Sequence, residues 1–223
     1  ELLLSIYNQK VVRDSTRRFY KVKSRSKKLL HDWKRGKSFV EIAKELNFPS
    51  VLVAHLILKE NQIPRRKFWR YLSNPEELKD GRLKKELRLV AKDDIVYSPA
   101  AMEENYKRGK LGEERIKKWL EAHKIPFRTE DEIKGQYPKT PDFLISKPIV
   151  FNGSKRYWIE SKASFGSPEE IRRNNRRQFK QYKELFGDGI VIYWFGYVED
   201  WNFDSPGVLL TDKRFFKDFE RNA

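Results

Sequence analysis

Asp142, Glu160 and Lys162 are the residues here whose types and spacing best suit chemistry on a phosphate. Asp142 opens the apolar stretch "PDFLISKPIVF", and Glu160 and Lys162 lie two apart in "RYWIESKAS". Residues i and i+2 of a strand share a face, so the acid and the lysine stand side by side. Two carboxylates on neighbouring strands make a hard-oxygen site suited to Mg²⁺ or Mn²⁺. A lysine beside them can stabilise negative charge developing on a phosphate, or orient an attacking water. Those are the parts of phosphodiester hydrolysis. A salt-bridged strand in a highly charged protein carries the same short pattern, so flanking elements must decide.

Register is the first of these. "NG" between the two apolar runs predicts a two-residue hairpin turn at Asn152-Gly153. Perfect pairing outward from that turn sets Asp142 opposite Ala163 and off the face of Glu160 and Lys162. A longer loop, or a bulge near Pro148, reverses the parity and unites all three.

Two helical segments contribute further candidates. In "GEERIKKWLEAHK", Ile116, Trp119 and Leu120 form an apolar stripe, and Glu113 lies along it while Glu114 is rotated away. Glu113 also fits the plain preference of acids for a helix start. In "SPEEIRRNNRRQFKQYKELFGDG", Ser167, Pro168 and Glu170 mark the start and Gly187 the end. Gln178 and Tyr182 share a side with Ile171, Phe179, Leu185 and Phe186, and the basic residues from Arg172 to Lys183 take the opposite arc. A glutamine on an apolar stripe needs a partner; a nucleotide, a metal ligand or a neighbouring core group would serve. "GIVIYWFGYV" is a continuous apolar run, as in a strand buried on both faces.

The 223-residue chain is long enough for one large or two modest domains. Its formal charge of +16 points to a polyanionic partner, nucleic acid ahead of an anionic membrane. Residues 1–98 hold 24 basic and 12 acidic side chains, so the front is the stronger electrostatic footprint. Cysteine is absent, which excludes disulfides and thiolate metal sites. No apolar run approaches the roughly 20 residues of a membrane span, and no secretory signal is present. A soluble, intracellular protein is expected, with the Lys/Arg/Glu-rich, cysteine-free composition also compatible with a thermophile.

"SPAAMEE" marks the expected boundary between a helical region, 1–98, and a mixed α/β region, 99–223. In the front region Ser38 and Glu41 form a capping box for a helix to Leu46, Asn47 fits a left-handed turn, and a helix restarts near Val51. Ala43, Asn47, Val53 and Leu56 fit the small, turn and core positions of a helix-turn-helix. Its second helix offers mainly Ser50, His55 and Lys59 to a base edge, so docking or packing competes with sequence reading. The basic flanks, with Arg17, Arg18, Lys27 and Lys28 on one side and Arg65, Arg66 and Lys67 on the other, suit phosphate contacts.

Taken in order, "GE", "TPDF", "WIESKASFG", "QFKQY" and "GIVIYW" resemble the TPD family of the PD-(D/E)xK nuclease superfamily, over about residues 107–200. That resemblance implies a restriction-endonuclease-like αβββαβ core behind the helix-turn-helix region. It implies metal ligation by Asp142 and Glu160, joined by Glu113, with Lys162 catalytic and Gln178 and Tyr182 as the Gln-x-x-x-Tyr element of some members. The expected activity is a Mg²⁺- or Mn²⁺-dependent DNA endonuclease, acting in repair or on branched DNA. RNA stands beside DNA as a substrate, and a homodimer suits an enzyme that cuts both strands. The other reading is a catalytically silent nucleic-acid-binding or scaffold protein that kept the fold.

Overall fold

Helix-starting side chains do in space what their spacing requires. Ser38 accepts from the Glu41 amide (3.2 Å) while the Glu41 carboxylate accepts from the Ser38 amide (2.8 Å), and the helix they cap ends at Asn47 with φ 44°. The computed structural model describes residues 1–199, 203 and 205–222. These fall into two compact units, Tyr7–Tyr106 and a second made of Glu1–Ile6 with Lys107–Ala223. Among the described residues, no helix is long and apolar enough to cross a membrane.

Helix α1 (Leu2–Lys23) from Tyr7 onward, with α2 (Ser26–Lys34), α3 (Phe39–Leu46), α4 (Ser50–Glu60), α5 (Arg65–Ser73) and α6 (Gly81–Asp93), builds the helical unit. Helix α4 is its centre: Val51, Val53, Ala54, Leu56, Ile57 and Leu58 are all buried. That burial changes the reading of the three polar residues expected at its surface. Ser50 is 2% exposed, and half-buried His55 packs against Phe68, leaving only Lys59 well exposed. Burial and the charges of Arg65 and Lys59 hold the His55 pKa below its ordinary value.

The second unit contains a five-stranded mixed sheet in the order β1-β2-β3-β4-β5. Helix α7 (Pro99–Ala122) precedes β1 (Phe127–Thr129) and the short α8 (Glu130–Ile133); the hairpin β2 (Phe143–Phe151) and β3 (Ser154–Lys162) follows. A helical segment then runs as α9 (Pro168–Asn174), a π turn (Asn175–Phe179) and α10 (Lys180–Phe186). Strand β4 (Gly189–Tyr193) is buried along its whole length, paired in parallel with β3 and with β5 (Val208–Thr211), and α11 (Phe215–Asn222) ends the unit. Strand β5 and helix α11 extend the expected element order.

Two expectations about helices need correction. The helix carrying Glu113 does not open at Gly112: Ser98 caps it by accepting from the Ala101 amide, and α7 runs unbroken from Pro99. The contact boundary lies within α7, between Tyr106 and Lys107. Leu185, expected on the buried stripe, is 42% exposed, while Phe186 packs inward. The π turn adds a residue, so the stripe runs Ile171, Phe179, Tyr182, Phe186. Buried Asn174 and Asn175 occupy the wide turn, the first donating to the Tyr193 hydroxyl (3.2 Å) and the second accepting from Ser205 (3.1 Å).

Candidate functional site

The hairpin turn is the two-residue one that "NG" predicts, with φ 49° at Asn152 and 71° at Gly153. Beside it Phe151 pairs with Ser154 and Ile149 with Arg156, the register that would leave Asp142 off the site. The register then shifts. Across the shift β2 passes through Ile145, Ser146, Lys147 and Pro148 while β3 advances by Tyr157 alone, and beyond it Leu144 pairs with Trp158 and Phe143 with Ile159. An odd excess of residues reverses the parity. One step further, Asp142 stands opposite Glu160.

Hydrogen bonds tie the strand ends into one cluster. The Asp142 amide donates to Glu160 Oε2 (3.2 Å), and the Ser161 amide donates to Asp142 Oδ2 (2.7 Å). Lys162 Nζ lies 2.5 Å from Glu160 Oε1 and 2.8 Å from Gln178 Oε1. Gln178 Nε2 donates in turn to the Tyr182 hydroxyl (3.2 Å). The Phe179 ring centroid lies 5.9 Å from the ammonium. Glu160 is buried, and Lys162 is largely so. Gln178 and Tyr182 therefore meet the acid–lysine group on the face covered by α9–α10, where Trp158, Ile171 and Val191 pack.

Helix α7 covers the other face, through Ile116, Trp119 and Leu120 against Ile145, Ile159 and Ile190. From α7 the charge of Glu113 acts on Asp142, the weakest of the influences that bear on that carboxyl. The Glu113 carboxylate pairs with Lys110 (2.8 Å), while exposed Glu114 pairs with Lys118 (3.5 Å). Among the described residues no three acid or imidazole side chains converge in the manner of a metal cage.

The electrostatics set each group's state. Burial, then the Glu160 charge, pushes the Asp142 carboxyl well above the ordinary range, with Lys162 and the Ser161 amide opposing. Burial pulls the Lys162 ammonium down, but the charge and hydrogen bond of Glu160, with Asp142 behind it, outweigh that and leave it raised. Glu160 thus favours the charged form of Lys162. Burial and the charges of Glu160, Asp142 and Glu130 push the Tyr182 hydroxyl up, so it serves as a neutral hydrogen-bonding group. Two facing carboxylates with one lysine are short of positive charge, and a hydrated Mg²⁺ characteristically takes one or two carboxylates plus water and phosphate oxygens. The donor set fits that ion.

Glycine at 112 was part of the sequence pattern without a stated role. A Cβ there would lie 2.8 Å from Ser161 Oγ and closer still to the Trp194 indole nitrogen, so only glycine lets α7 approach and bring Glu113 alongside. The basic residues of the front region have mixed roles. Arg17, Lys27, Lys28, Arg65, Arg66 and Lys67 are exposed, but Arg18 donates to the carbonyls of Leu46 and Asn47, closing the end of α3. A cleft of about 470 Å³ in the helical unit sets Lys10, Arg18 and Lys44 against Asp14, Asp93 and Asp94.

The chain belongs to the TPD family: the family model described as "Protein of unknown function TPD sequence-motif" matches residues 79–214, which contain the whole acid–lysine cluster. Among its relatives, CDAN1-interacting nuclease 1 of Xenopus laevis is 31% identical over 182 residues, 78% of this chain and 60% of the relative. The Gallus gallus protein of that name is 30% identical over 78% of this chain and 63% of its own length, and the Homo sapiens one 30% over 77% and 64%. The chain thus spans about 60% of the length of the curated relatives it matches. No solved structure matches it.

Proposed function

We propose that this chain is a divalent-metal-dependent nuclease that hydrolyses phosphodiester bonds in DNA. The observation that carries the reading is Asp142 opposite Glu160 at one strand end, with Lys162 between Glu160 and Gln178. The relatives' name supports a nuclease, and the order α7, β1, β2, β3, α9–α10, β4 supports a restriction-endonuclease-like core. The α3–turn–α4 backbone supports a helix-turn-helix whose second helix packs inside its own unit. Nucleic acid then falls to the exposed basic residues, which bind phosphate without reading bases.

Asp142 and Glu160 would hold the ion, with Glu113 acting at the rim through charge or a bridging water. When bound, the ion supplies Lewis-acid stabilisation of phosphate charge and favours a nucleophilic water at neutral pH. The chain's own residues do the rest. Lys162, held charged by Glu160, faces the negative charge that grows on the phosphate as water attacks phosphorus. Gln178 fixes the ammonium, and Tyr182 fixes Gln178, so the cation is positioned before substrate arrives.

The second reading is a non-cleaving nucleic-acid-binding or scaffold protein that kept the fold. One experiment separates them. Labelled duplex, single-stranded and branched DNAs, with RNA controls, are incubated with Mg²⁺ or Mn²⁺ and the purified chain. Ion-dependent cleavage that the Lys162→Ala variant lacks supports the nuclease; no cleavage and no bound Mn²⁺ sinks it. Light scattering on the same preparation reads whether the chain works as a homodimer.

A further inference from the structure

Ser161 is the residue between the acid and the lysine, and its two polar groups face different ways. Its amide holds Asp142 Oδ2 at 2.7 Å, and its hydroxyl accepts from the Trp194 indole N–H at 2.8 Å. Trp194 also donates its own amide to the Lys162 carbonyl (3.0 Å). One residue therefore grips both Ser161 and Lys162, the last two residues of β3. The Trp194 ring is itself fixed, lying nearly parallel to Phe216 of α11 (5.7 Å, 18°) with the Arg115 guanidinium 5.5 Å from its centroid. Gly112 presses on the Ser161–Trp194 hydrogen bond, and the next residue of α7 is Glu113.

We propose that Trp194 is a positioning residue of the candidate site: through Ser161 it fixes the strand end that holds Asp142 and sets how closely α7 brings Glu113. The inference rests on the metal-dependent reading above and adds a residue that touches neither ion nor phosphate. The indole N–H fixes the Ser161 side chain, and with it the peptide whose amide restrains Asp142. Without that bond the Asp142 carboxylate keeps its place in the chain but loses its fixed aim.

Trp194→Phe keeps an aromatic ring for Phe216 and Arg115 but removes the indole N–H together with part of the ring; Ser161→Ala removes the acceptor and leaves the ring untouched. Each variant, and the double variant, is measured beside the wild type for thermal melting, hydrogen exchange at the residue 161 amide in metal-free protein, Mn²⁺ binding by calorimetry, and kcat and KM separately. In folded Trp194→Phe we expect faster exchange at Ser161, Mn²⁺ binding weakened about tenfold or more, and a lower kcat at unchanged KM. The double variant should lose no more than either single one, since both break the same bond. Wild-type exchange and wild-type Mn²⁺ affinity in a folded variant overturn the proposal, as does faster exchange with unchanged Mn²⁺ affinity. Should Trp194→Phe fail to fold, Ser161→Ala carries the same test. A wild type that binds no ion and cuts nothing refutes the nuclease reading instead, and exchange at Ser161 still decides whether Trp194 holds the strand end.

Discussion

Both units bury carboxylates, and they treat them in opposite ways. In the helical unit Glu86 accepts from the Trp33 indole, the Phe39 amide and the Arg82 guanidinium, and Asp94 accepts from the amides of Val51, Val96 and Tyr97. Each of these hydrogen bonds comes from a donor on another part of the unit or from the chain just beyond, so the two acids act as structural clamps. In the sheet unit Asp142 and Glu160 face each other, and the one lysine beside them bonds Glu160 while Asp142 has a single backbone amide. A buried acid surrounded by donors holds a fold together. A buried acid facing another acid is a cost to the fold, retained where a cation or a reaction needs it.

Deleting acids should therefore have opposite consequences in the two units. The largest effect is on chemistry: Asp142→Ala and Lys162→Ala should each lower cleavage about 10²-fold or more while leaving nucleic-acid binding largely intact, read by single-turnover kinetics and binding titration. Asp142→Ala relieves repulsion, so its melting temperature should not fall. Unimpaired cleavage by either variant, or a sharply destabilised Asp142→Ala, would break the contrast.

Next in size, Glu86→Ala should destabilise the helical unit by about 3 kcal/mol in denaturant unfolding, because Arg82 and two N–H donors lose their acceptor. A smaller loss follows for Gly112→Ala, about 1–3 kcal/mol, as the new methyl forces α7 away from Ser161 and Trp194. That variant should also weaken Mn²⁺ binding, which no substitution confined to the helical core should do.

The smallest effect is a pH dependence in the helical unit. The His55 pKa lies below its unfolded value because of burial and the Arg65 and Lys59 charges. Its contribution is complete above about pH 6.5, the unfolded value, and is lost as pH falls through the folded one. Melting temperature should decline on acidification from that point, and His55→Gln should flatten the decline.

Local signals carried much of this architecture. Ser38, Ser167 and Asn152-Gly153 act through neighbours in sequence, and each does in space what its spacing requires. Parity required either a longer loop or a bulge near Pro148 for the acids to meet, and the fold takes the second course, with the shift between Leu144 and Ile149. What stayed illegible depends on tertiary packing. Where α9 passes into the π turn, Asn175–Phe179, two adjacent asparagines find partners in β4 and near β5. Burial of α4 depends on surrounding it with α2, α3, α5 and α6. Trp194 looked like one more apolar residue of "GIVIYW" until its indole was seen to end on Ser161.

The irregular stretch Ile145–Pro148 has an engineering consequence. Pairing near the turn and pairing at the strand ends are separate registers, and between them β1 holds the chain through the Phe127–Ile145 pairing and the Ser146 amide on the Pro126 carbonyl, so the tip of the hairpin is anchored apart from the acids. A tag, fluorophore or affinity handle grafted between Asn152 and Gly153 would lengthen the hairpin without transmitting a shift to Asp142, which makes this tip the natural place to label or immobilise the protein.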